Sequence, residues 1–206
     1  MPRRLLPPAA ALLLVASLGA CAGDGGGEAS GSSPSPSGAE RIPTSGGIPE
    51  GPAPEGIEGV IAFTIPSRNH TEAALEYDHL PPAGGDHFPV PSTCGFYSTN
   101  PPPTEMIVHD LEHGAIWVAY RSDVPEDQLD TLRELAAQET KFIATPFDEM
   151  DSPITVTAWA RQLPLDDVGD PRLRQFIDTY RNGPEAPEPG AACQGVGDPE
   201  VPSPSA

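Results

Sequence analysis

Residues 108–120, VHDLEHGAIWVAY, set the terms for everything around them. A helical turn through His109 and His113 puts both imidazoles on one face at i and i+4, with Glu112 beside them and Cβ atoms about 5–6 Å apart. Two imidazoles so placed can share one cation. Gly114 is a natural stop for such a turn, and the residues that follow it, AIWVAY, are apolar throughout. A short apolar run without alternation suits a strand covered on both faces. The chain therefore has to build a layer on each side of that strand and bring the histidines to its mouth.

The flanking sequence supplies those layers. Beyond Tyr120, Asp123 with Glu126 three residues on reads as a capping box, with Pro125 in the first turn and a stripe of Leu129, Leu132, Leu135 and Ala136 running to about Glu139. Lys141 to Phe147 and Ile154 to Leu163 read as two strands joined by the acidic turn DEMDSP. Asp170 caps a second helix opened by Pro171, in which Leu173, Phe176, Ile177 and Tyr180 fall at i, i+3, i+4 and i+7, and Gly183-Pro184 stops it. An earlier run, GVIAFTI at 59–65, is a further strand closed by Pro66. The expected fold is one small α+β or α/β domain over residues 57–195, a mixed sheet with flanking helices. The order strand, helix, strand, strand, helix from 115 onward is like the second half of a thioredoxin-like fold, although no Cys-x-x-Cys accompanies it.

The ends of the chain are of another kind. The chain's 28 prolines and 21 glycines are above average usage and unevenly spread. Residues 1–20 have a basic start at Arg3 and Arg4, an apolar run and small residues at the end, as a secretory signal does. Leu18-Gly19-Ala20-Cys21 resembles the lipobox of bacterial lipoproteins, which implies an acylated (palmitate-bearing) Cys21 as first residue of the mature chain. Residues 21–56 are Gly, Ser, Pro and Ala with scattered acids. Such a stretch buries too little apolar surface to offset its ordering entropy and is expected to be a disordered tether. Residues 196–206 are expected to be a disordered tail. These features predict a lipid-anchored protein on the outer face of the cytoplasmic membrane. The formal charge of −19 argues against nucleic acid as a partner and makes cations the natural counterpart.

Chemistry concentrates in the histidines and cysteines. His109 and His113, with His79 and His87 from the preceding Gly/Pro-rich loop, offer enough imidazole nitrogen for a copper or zinc ion, and Asp110 or Glu112 can orient an imidazole. Cys94 is either a further ligand or, in an oxidising compartment, the partner of Cys193 in a disulfide closing a loop of about 100 residues. The pattern HDLEH also fits H-x-x-E-H, in which Glu112 would be the general base of a zinc hydrolase. The one turn expected before Gly114 is short for that motif, so catalysis is not the expectation. A third reading is a structural or partner-binding envelope lipoprotein whose histidines bond loop carbonyls.

The motifs PPAGGDHFP, STCGFY, VHDLEHGAIWVAY, TAWARQL and DPRLRQFIDTYRNGPEAPEPGAAC, which follow one another from about His79 to Cys193, resemble the bacterial family known as domain of unknown function 3105. Its members are exported or membrane-attached and carry similar His-rich, CG and HxLEHG motifs. The resemblance implies a single domain with these boundaries and no assigned activity. His70 precedes this run and is not counted among the candidate ligands.

Overall fold

The computed structural model describes residues 41–205. The signal, Cys21 and the first part of the expected tether lie outside the described residues. Ten strands and three helices follow in chain order among those residues: β1 (Ile42–Thr44), β2 (Ile48–Pro52), β3 (Ile61–Thr64), β4 (Leu75–Tyr77), β5 (Gly95–Phe96), α1 (Thr104–Glu112), β6 (Ile116–Tyr120), α2 (Glu126–Gln138), β7 (Phe142–Pro146), β8 (Ile154–Ala158), β9 (Arg161–Leu165), α3 (Pro171–Tyr180) and β10 (Val201–Pro202). None of these helices is long and apolar enough to cross a membrane.

Eight strands form one mixed sheet in the order β10-β5-β7-β6-β8-β9-β3-β2, while β1 and β4 pair in parallel on their own. The central strand is the apolar run after Gly114. It pairs in parallel with β7 and antiparallel with β8, and all of its residues are buried. Side chains alternate along it. Ile116, Val118 and Tyr120 join the layer made with Leu132 and Ala136 of α2 and Leu173, Phe176 and Ile177 of α3. Trp117 and Ala119 turn the other way, onto Ile107, Val108 and Leu111 of α1. At about 1.5–3 kcal/mol for each large apolar side chain removed from water, these two faces hold the sheet in place.

The second half is a parallel β6-α2-β7 unit extended by an antiparallel hairpin, β8-β9, and closed by α3. The α+β class and the mixed sheet agree with the sequence; four local expectations do not. Residues 154–163 make a hairpin rather than one strand, because Ala160 adopts a positive φ of 59° and turns the chain. Asp123 is not the cap of α2: Pro125 holds that position with no side-chain bond, and Asp123 instead accepts from Arg121. The stretch expected as tether overruns into the fold, since β2 pairs antiparallel with β3. The expected tail likewise contains β10, which pairs with β5. In each of these last cases, backbone bonds to a preformed strand order a segment with little apolar surface.

Candidate metal centre

Helix α1 carries the site, and its sequence explains its limits. Pro103 precedes it in extended conformation, where a missing N–H costs nothing, and Glu105 sits in the first turn near the positive end of the helix. The helix ends in a paired motif: Gly114 N–H donates to Leu111 O (3.0 Å) and Ala115 N–H to Asp110 O (2.9 Å). Gly114 has φ +86°, and a Cβ there would lie 2.8 Å from Asn182 Cα. Buried Lys141 completes the end, donating from Nζ to His113 O (2.8 Å) and to Asn182 Oδ1 (2.9 Å). The helix is longer than the single turn expected, and His109 and His113 occupy its last turn and cap.

Four imidazoles converge beside this helix end. His109 Nε2 and His113 Nε2 are 3.0 Å apart. His70, from the loop between β3 and β4, and His87, from the loop between β4 and β5, are held side by side by an isolated parallel bridge, with Thr71 N–H donating to His87 O and His87 N–H to Asn69 O. The rings of His70 and His109 stack at 5.0 Å, and that of His87 meets both edge-on. One ligand nitrogen from each of His70, His87 and His109 lies within 4.8 Å of the others. Glu112 closes the cluster: its Oε2 is 2.9 Å from His87 Nε2 and 3.5 Å from His70 Nε2. Arg68 Nη1 stands 3.7 Å from Oε1 of that carboxylate.

Three of these rings have their other nitrogen fixed. His87 Nδ1 donates to Gly85 O (2.9 Å), His109 Nδ1 to Phe88 O (2.6 Å) and His113 Nδ1 to Ala192 O (2.7 Å). A carbonyl only accepts, so each Nδ1 carries the hydrogen and each ring turns its Nε2 to the cluster. Nε2 of His109 and Nε2 of His113 then face one another, and that of His87 faces the Glu112 carboxylate. Two facing nitrogens need a proton or a cation between them. Extra protons are a poor remedy at His109, because burial holds its pKa below the ordinary imidazole value, the Phe88 bond only partly offsets this, and the other histidines add to the lowering. The spacings of 2.9–3.5 Å match ligand-to-ligand edges around an ion bound at about 2.0–2.1 Å.

The candidates from sequence divide cleanly. His87, His109 and His113 are brought together with Glu112. His79 is not: its Nε2 bonds Gln162 Oε1 at 3.0 Å and its ring packs on Phe63. His70, left out on sequence grounds, stands in its place as the one ring of the cluster with a largely accessible side chain, 49 % exposed. Nothing in residue spacing identifies it, since its position depends on pairing with His87 across the loop. Cys94 and Cys193 form a disulfide with Cα atoms 5.5 Å apart, so neither is a ligand in this state. Asp110 turns away from the imidazoles. It is fully buried, takes two hydrogen bonds on Oδ2 from Ser92, and has its pKa pushed up to about 8 by that burial against the opposing bonds and the charge of Lys141.

A family model described as "Protein of unknown function (DUF3105)" matches residues 69–195. The match begins one residue before His70 and takes in all four clustered histidines, Glu112 and both bridged cysteines. No curated protein and no solved structure matches the chain.

Proposed function

The chain belongs to the DUF3105 family, and we propose that its domain binds a transition-metal ion, copper or zinc, between His70, His87, His109 and His113 with Glu112 as the flanking carboxylate. The observation that carries this is the facing nitrogens: buried imidazoles whose Nδ1 hydrogens are committed to backbone carbonyls turn their Nε2 atoms on each other and on a carboxylate. A divalent cation between His70, His87 and His109, whose ligand nitrogens lie within 4.8 Å of one another, would have His113 and Glu112 at its edge. A nitrogen-rich donor set with one carboxylate and no free sulfur favours Zn(II) or Cu(II) over Cu(I). The backbone carbonyls act as the supporting contacts that fix ring orientation in metal sites.

The site is one of binding and exchange. Three imidazoles are buried and locked, while exposed His70 gives an incoming or departing ion a ligand that can swing. Glu112 is engaged by His87 and approached by His70 and Arg68, which leaves no poised base of the kind the H-x-x-E-H hydrolase reading requires. Residues 1–20 would direct export and be removed, and Cys21 would anchor the domain to the outer face of the cytoplasmic membrane through lipid; loss of palmitate labelling in Cys21→Ser tests that placement.

The test of binding is stoichiometry. Purified protein loaded with Zn(II) or Cu(II) and desalted retains one equivalent; His109→Ala retains none, and His79→Ala retains as much as the unaltered chain. Equal retention by His109→Ala and the unaltered protein would refute the site.

A further inference from the structure

Helix α1 also borders a second cluster, built from Cys94, Cys193 and Asp110, with ligand atoms within 4.8 Å of one another and every residue buried; it adjoins the imidazoles through the bond from His113 Nδ1 to Ala192 O, next to Cys193. Two details set it apart from an ordinary structural bridge. Oδ2 of Asp110 is engaged by the Ser92 N–H and hydroxyl, whereas Oδ1 faces only Cys193 Sγ, at 3.2 Å. A disulfide sulfur has no hydrogen to donate, so this contact is not a hydrogen bond from sulfur; it sets a carboxyl oxygen beside both sulfurs of the bridge. The cluster also borders a cavity of about 530 Å³, lined in part by Cys94, Lys141, Cys193, Gln194 and Ser203, which gives a small reductant and an ion a way in.

We propose that the reduced form of this pair is a second metal site, sharing no ligand with the imidazole cluster, in which Cys94 Sγ, Cys193 Sγ and Asp110 Oδ1 hold a thiophilic divalent cation such as Zn(II) with a fourth position open to the cavity. A dithiol reductant opens it: its two sulfurs oxidise to a cyclic disulfide, and two electrons and two protons pass to the Cys94 and Cys193 sulfurs. Binding then expels the two thiol protons and the proton of the Asp110 carboxyl as the two sulfurs and Oδ1 coordinate. With Zn–S at about 2.3 Å, the sulfurs of a tetrahedral site stand about 3.8 Å apart, a separation that side-chain rotation supplies from a pair whose backbones are already neighbours. Cys94 N–H donates to Cys193 O (3.2 Å) and Ser203 N–H to Cys94 O (3.0 Å), so the two cysteines keep their backbone pairing when the bridge is open. The cluster is a dithiol in reserve, carrying its third ligand in place.

Cadmium(II) is the probe, since thiolate-to-cadmium charge transfer gives an ultraviolet band that imidazole ligands do not. Full-length protein is titrated before and after dithiol reduction and removal of the reductant. The reduced protein gains one equivalent over the oxidised form together with the thiolate band; Cys193→Ser abolishes the band, and Asp110→Asn weakens the extra binding by about tenfold, the order that loss of one supporting group costs a metal site. Equal stoichiometry in the two redox states overturns the proposal. So does an unchanged affinity in Asp110→Asn, which would mark chelation by any nearby thiol pair, and so does loss of near-ultraviolet dichroism on reduction, which would mean that no folded reduced site exists. The His109→Ala protein shows the same gain, so that a failed imidazole site and a failed thiolate site are told apart.

Discussion

Opening the Cys94–Cys193 bridge permanently, by Cys94→Ser with Cys193→Ser, is expected to weaken the domain without unfolding it. The two cysteines are separated by 99 positions, and closing a loop of that size removes about 4.7 kcal/mol of chain entropy from the unfolded state. Little else is lost: hydroxyls replace sulfurs of similar shape, and the Ser92 contacts to Asp110 stay. A domain of this length has about 5–15 kcal/mol in hand; of its two apolar layers on either face of β6, the one with α2 and α3 excludes the bridge, and the other holds both cysteines among many other apolar side chains. At about 2–4 °C per kcal/mol for this size, the midpoint should fall by about 9–19 °C. Differential scanning calorimetry of the metal-free proteins measures it. A shift under about 3 °C would show that loop closure is not what the bridge contributes. A variant with no cooperative transition at all would show that the core cannot stand without the bridge, contrary to the packing argument.

Three further outcomes follow from named contacts. Gly114→Ala forces a Cβ into a left-handed turn and onto Asn182, costing more than the 1–2 kcal/mol of the backbone conformation alone, and circular-dichroism melts should register that loss; a change under about 0.5 kcal/mol would contradict the packing at the helix end. Asp110 holds its proton in the fold, with its pKa raised to about 8, so its contribution is present at low pH and is lost as pH rises from the ordinary carboxyl range toward about 8. Asp110→Asn should therefore flatten, by up to about 1.4 kcal/mol per pH unit, the decline in oxidised, metal-free stability across that window, and parallel stability curves would refute the assignment. Glu112→Gln keeps an oxygen donor but removes the charge beside His87 and His70, so competition with a chelator should show affinity for Zn(II) falling by about ten- to a hundredfold; unchanged affinity would place the carboxylate outside the site.

What the sequence reveals and hides follows from distance along the chain. Local chemistry announces itself: Gly114 ends a helix, AIWVAY becomes a strand buried on both faces, and His109 with His113 share a helix face because four residues make about one turn. Asp170 and Pro171 open α3 as their types require, with Asp170 accepting from Arg172 N–H. Contacts between remote segments are silent. His79 and His70 occupy the same kind of loop with similar neighbours, and what sends one to Gln162 on β9 and the other to His87 is pairing over long separations. The same holds for β2 and β10, whose Pro-rich sequences read as linkers and become strands only because β3 and β5 are there to receive them.

X-ray absorption at the metal edge of the Zn(II)- or Cu(II)-loaded, oxidised protein puts the facing imidazoles to the strictest trial. A shell of nitrogen and oxygen at about 2.0–2.1 Å, with outer-shell scattering from three or more imidazole rings and no sulfur at about 2.3 Å, is the result expected of His70, His87, His109 and His113 acting together. Fewer than two imidazoles, or a sulfur shell in the oxidised protein, would contradict it.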